Sequence, residues 1–160
     1  METIENTLAD WFSDIDRVVI VGIGNPLRHD DSVGVEVVKR LKGKVTNDNI
    51  LVIESENVPE SFMKPITEFN PSHILLIDAA LLGLEPGHLR FVKALEVSGV
   101  AVSTHALPLQ IFCGYLTQVT GAKIGLLLIQ PENVDFGEGL TPEVESAMKR
   151  VIKILKRILL

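Results

Sequence analysis

The sequence predicts an α/β fold of three layers, helix–sheet–helix. Its centre is a five-stranded, mostly parallel twisted sheet with one antiparallel edge strand. Three observations predict it. Continuous apolar runs recur at residues 18–21, 50–53, 74–77 and 124–129, as strands buried on both faces of a parallel sheet read. Stretches with helical apolar spacing alternate with them. The connection over residues 81–87 is too short for a helical crossover, so the strand after it, about residues 88–93, is expected to run antiparallel.

Length and composition bound the rest. The chain of 160 residues fits one domain, 1–160, with 1–16 as an N-terminal helical extension. Hydrophobic residues make up 46%, enough for a sizeable core. A formal net charge of −6 argues against nucleic acid or an anionic membrane as the main partner. The single Cys113 cannot form an internal disulfide, which suits a reducing cytosol. The acidic opening METIENTLAD carries no apolar signal-peptide core, and no uncharged run reaches the length of a membrane span. A cytoplasmic protein is expected.

The elements follow in order. Leu8, Trp11, Phe12 and Ile15 stand at i, i+3, i+4 and i+7, a short amphipathic helix packed on the sheet or its edge, with Trp11 in the core. Val18, Val19, Ile20 and Val21 form the first strand, and Gly22, Gly24 and Asn25-Pro26 turn the chain sharply after it. Two adjacent carboxylates follow, Asp30 and Asp31, and then a helix with Val33, Val37 and Leu41 on one face. A dinucleotide fingerprint would need glycine where Leu27 stands, and bare N–H groups where the two acids lie. Carboxylates at a strand end suit a hard or borderline cation better. One of the two could instead cap the helix.

Residues 50–53 are a second buried strand, running into a polar loop of Glu54, Ser55, Glu56 and Asn57. Pro59 fits the first turn of a helix faced by Phe62, Met63, Ile66 and Phe69, and Pro65 within it predicts a late start or a kink. The third strand, the most apolar, ends at Asp78 and is followed by Ala79 and Ala80. With strand order 2-1-3, the Asp30/Asp31 turn and Asp78 meet in one crevice at the carboxyl edge. A half-polar edge strand and a loop of about ten residues come next. Ser103 or Thr104 can cap an apolar helix with Leu107, Ile111, Phe112 and Tyr115, with Pro108 in its first turn and His105 at its start. Cys113 reads as core. The last strand leads into Gln130-Pro131-Glu132-Asn133, and Thr141-Pro142-Glu143 starts a final helix whose second face is basic.

Three separated features now match one family: Gly22-x-Gly24-Asn25-x-Leu27-x-x-Asp30-Asp31-x-x-Gly34-Val35, Asp78-Ala79 at a strand end, and Thr104-His105-x-x-Pro108-Leu109. Pro59-Glu60, Gly83-Leu84-x-Pro86-Gly87, Gln130-Pro131 and Leu140-Thr141 match as well. From about Val18 to the last helix the chain resembles the [NiFe]-hydrogenase maturation endopeptidases, most of all the formate-hydrogenlyase type. The resemblance implies an enzyme that removes a C-terminal extension from the large-subunit precursor after nickel is installed. It implies that Asp31, Asp78 and His105 contact the metal and carry catalysis, with Gly22, Gly24, Asn25 and Asp30 as the supporting loop. It implies nickel as the metal, arriving with the precursor, with other divalent ions able to occupy the site in vitro. Two positions depart from the family pattern. Ser32 stands where glycine is frequent, and Glu56-Asn57 where a small Gly/Ser-rich loop is usual. The residues by themselves also admit a second class, a non-hydrolytic small-ligand or nucleotide-binding α/β module.

Overall fold

A computed structural model describes residues 2–94, 102–103 and 109–160. Five strands form the main sheet: β1 (Val18–Ile23), β2 (Ile50–Glu56), β3 (His73–Leu81), β4 (Leu89–Lys93) and β6 (Lys123–Ile129), in the order β2-β1-β3-β6-β4. All pair in parallel except β4, which runs antiparallel to β6 at the edge. The 2-1-3 order and the antiparallel edge strand are those expected from the sequence. A further strand, β5 (Val102–Ser103), pairs antiparallel with the end of β3, Ser103 opposite Ala80. It falls where only a loop was expected, because two residues carry no periodicity to read.

The continuous apolar runs have a simple cause. Val18, Ile20, Leu75, Ile77 and Leu127 face one core, while Val19, Val21, Ile74, Leu76 and Leu126 face another. Neighbouring strand residues point to opposite faces, so a sheet covered on both sides needs apolar residues at every position. The first core is closed by α1 (Ile4–Trp11), α2 (Val33–Lys42) and α5 (Pro142–Leu159). The second is closed by α3 (Met63–Phe69) and α4 (Leu109–Thr120).

Local chemistry sets the helix ends. Thr3 caps α1, its hydroxyl oxygen accepting from the Asn6 N–H at 3.1 Å. The helix stops at Trp11, so Ile15 lies beyond it and is exposed. Trp11 is core, its ring 5.2 Å from Phe91 and 5.0 Å from His73 between centroids. Residues Pro59–Phe62 form a 3₁₀ turn, and α3 starts only at Met63. That is the late start Pro65 predicts: it then occupies the first helical turn, where its missing N–H has no partner to lose. Glu54, Ser55 and Glu56 belong to β2 rather than to a loop. Ser103 lies in β5, six residues before α4, so it does not cap that helix; Thr104, Leu107 and Pro108 lie outside the described residues.

One contact decides where α2 sits. A Cβ on Gly34 would stand 2.1 Å from the carbonyl oxygen of Ile77, and one on Gly22 would stand 2.3 Å from that of Gly34. The first turn of α2 therefore rests directly on the ends of β1 and β3. The segment just before α2 is brought to the residue just after Ile77, which is Asp78.

Candidate functional site

The turn leaving β1 is built from backbone inward. The Gly24 N–H donates to the Glu56 carbonyl at 2.8 Å, tying the turn to β2. A Cβ at Gly24 would lie 2.2 Å from the Asp31 carbonyl oxygen, so only glycine admits this path. The Asn25 side chain accepts from the Leu27 N–H at 2.9 Å, an Asx turn. Its own N–H donates to Asp31 Oδ2 at 3.3 Å. Residues His29–Ser32 then form a 3₁₀ turn packed against β3, ahead of α2.

Asp31 is 4% exposed and Asp78 is fully buried. Asp31 stands three residues before Gly34; Asp78, expected at the end of its strand, lies within β3, paired with Leu128 and three residues before the strand stops at Leu81, but one residue past Ile77, where pairing with the shorter β1 ends. Carboxylates withdrawn from water need hydrogen bonds, a counter-charge or a metal to hold them there. His105 lies outside the described residues; the chain re-enters the sheet at Ser103, two residues before it, opposite Ala80, two residues after Asp78. Among the described residues no group of three or more His, Cys, Asp and Glu side chains is placed to hold a metal ion.

Asp30 does something different from its neighbour. Its Oδ2 accepts from the N–H of Glu132 at 2.9 Å, the N–H of Asn133 at 3.0 Å and the Thr141 hydroxyl at 2.7 Å. Its Oδ1 accepts from the N–H of Thr141 at 2.8 Å. Asp30 thus clamps both ends of the 131–141 loop onto the β1 exit turn and makes no helix cap. Thr141 occupies the cap position of α5, but its hydroxyl is spent on Asp30. The same loop is held by the His29 N–H donating to the Gly137 carbonyl at 2.8 Å and by Arg28 Nε donating to the Val134 carbonyl at 3.0 Å.

Sequence reasoning missed this loop and a second brace. Gln130 Oε1 accepts from the N–H groups of Leu82 at 2.7 Å and Leu84 at 3.4 Å, fixing the chain that leaves β3 beyond Asp78. The Gln130-Pro131 and Leu140-Thr141 pairs mark the two ends of this loop in the sequence, but neither pair names its distant partner. On β2, Ser55 Oγ donates to the Gly22 carbonyl at 3.1 Å. Glu56 adopts φ +50°, a conformation that favours glycine. Cys113 is buried, and burial pushes its thiol up to about 12, so it is no nucleophile.

The architecture is an open, mostly parallel α/β sheet covered by helices on both faces, and comparison with known proteins defines it further. The hydrogenase maturation protease family model, HycI, matches residues 35–158. A crystal structure of a [NiFe] hydrogenase maturation protease HycI from Thermococcus kodakarensis superposes with a TM-score of 0.89 at 36% identity, covering 96% of this chain and 98% of that one. The hydrogenase 3 maturation protease of Escherichia coli K12 is 28% identical over 139 residues, 86% of this chain and 88% of its own. The solution structure of an endopeptidase HycI from Escherichia coli aligns with a TM-score of 0.76 at 27% identity, covering 86% and 88%. The chain belongs to the hydrogenase maturation protease family. It is a peptidase, and the non-hydrolytic module is set aside.

Proposed function

We propose that this enzyme removes the C-terminal extension of a [NiFe]-hydrogenase large-subunit precursor once nickel has been inserted. The observation that carries the reading is the pair of buried carboxylates, Asp31 and Asp78, set at one sheet edge by the Gly22–Gly34–Ile77 contact. His105 completes an O,O,N donor set too small to select nickel by affinity, so nickel arrives with the precursor as part of the substrate. Nickel on the precursor would supply Lewis-acid polarisation of the scissile carbonyl or of an attacking water. Asp31, Asp78 and His105 orient that centre and take or return protons as water adds across the C–N bond. Asp30 holds the 131–141 loop and leaves Asp31 to face the centre. The protein acts in the cytoplasm, where the precursor is matured.

The test is processing of a nickel-loaded precursor, read as product mass. Asp31→Ala, Asp78→Ala and His105→Ala are each expected to abolish cleavage while circular dichroism stays native. Retention of more than a tenth of wild-type cleavage by any of them would remove that residue from the site.

A further inference from the structure

Two large apolar side chains stand exposed on the two segments that Asp30 ties together: Phe136, 77% exposed, and Leu27, 56% exposed. Single exposed apolar residues are ordinary. These two lie on adjoining segments, the Gly137 N–H donating to the Leu27 carbonyl at 2.9 Å and Arg28 bridging to Gly137 beside them. The segment under Phe136 is fixed from several directions. Asp30 clamps the two ends of its loop, the His29 N–H binds Gly137, and Asn133 Oδ1 accepts from the Asp135 N–H at 2.9 Å. The Arg28 guanidinium lies over the Phe136 ring, 4.9 Å from its centroid, while its Nε holds the Val134 carbonyl. A loop ordered this way loses little freedom when a partner lands on it. An aromatic ring on such a scaffold is the usual anchor of a protein contact.

The position and charge name the occupant. Leu27 lies between Asn25, whose N–H reaches the Asp31 carboxylate, and Asp31 itself. Every ionisable residue in 131–141 is an acid: Glu132, Asp135 and Glu138, all exposed. The neighbouring bases are engaged: Arg28 as described, His29 Nδ1 at 3.0 Å from the Gly139 carbonyl, and Lys39 and Arg40 at 3.8 and 2.9 Å from Glu36. Two side chains are far less than the about 1,200–2,000 Å² of a stable interface. That suits a substrate that docks and leaves rather than a permanent subunit.

We propose that Phe136 and Leu27 are a preorganised dock for the precursor, receiving an apolar side chain flanked by Lys or Arg and so delivering the cleavage segment to Asp31. The proposal rests on the processing reading above. The test uses the full chain and nickel-loaded precursor, with KM and kcat measured separately. Leu27→Ala combined with Phe136→Ala is expected to raise KM at least tenfold with kcat unchanged and the melting temperature kept. Phe136→Leu should recover most of the loss. Added salt should raise the wild-type KM, and less so for Asp135→Asn combined with Glu138→Gln. An unchanged KM in the Leu27/Phe136 double variant, or a loss confined to kcat, would overturn the dock while wild-type processing stands. Failure of the wild type to process the precursor at all would overturn the processing reading itself, and the dock with it.

Discussion

Asp30 and Asp31 are adjacent and chemically alike, yet the fold gives them different work. Asp30 accepts four hydrogen bonds from the 131–141 loop, while Asp31 is bound by Asn25 at the turn. Asp30→Ala would strip the acceptor from three part-buried backbone N–H groups at about 1 kcal/mol or more each. A loss of about 3 kcal/mol or more is expected, lowering the melting temperature by about 6 °C or more for a chain of this size. A shift below about 2 °C would show that the clamp contributes little. Cys113 gives a second residue-scale expectation. With its thiol pushed up to about 12 by burial, thiolate is scarce near neutrality, and a thiol reagent at pH 8 should label it only as the protein unfolds. Prompt labelling of the native protein would contradict its place in the core. The sequence shows two acids and no means to divide their roles, because the partners of Asp30 lie more than a hundred residues away.

Among the elements, the seat of α2 on the sheet matters most to the site. Gly34→Ala would press a methyl into the Ile77 and Ile23 carbonyls, at 2.1 and 2.4 Å from ideal placement. Something must shift, and overpacking of this kind costs about 1–3 kcal/mol. Because the shift would part Asp31 from Asp78, processing should fall further than stability does; a variant that melts early but cleaves normally at low temperature would argue against this coupling. At the opposite end of the sheet, Asp14 receives Lys123 Nζ of β6 and lies 3.1 Å from His73 Nε2 of β3. The Lys123 hydrogen bond holds the Asp14 carboxyl below its ordinary value of 3.8. A depressed folded-state value means the stabilisation is complete above 3.8 and is lost as pH falls through the lower, folded value. Asp14→Asn should therefore destabilise slightly at pH 7 and not at all in strong acid, checked by thermal melts across pH. The four parallel strands and the antiparallel edge were legible because double-faced burial forces continuous apolar runs. β5 and the 131–141 loop were not, since one is two residues long and the other is shaped by distant hydrogen bonds rather than by its own sequence.

Over the whole molecule, the features tied to the proposed function gather around one edge of the sheet. The edge combines a glycine turn, the three buried carboxylates of Asp30, Asp31 and Asp78, and an acidic loop crowned by Phe136. Among the described residues no helix is long and apolar enough to cross a membrane. Membership of the hydrogenase maturation protease family supplies the reaction class, and the sheet edge is the proposed place for it. The proposed trigger for cleavage is nickel already seated in the substrate. The direct measurement incubates the protein with large-subunit precursor in three states, nickel-loaded, zinc-treated and metal-free in chelator, and reads product mass. Loss of the C-terminal segment only from the nickel-loaded precursor is the expected result. Equal cleavage of metal-free precursor in chelator would contradict it.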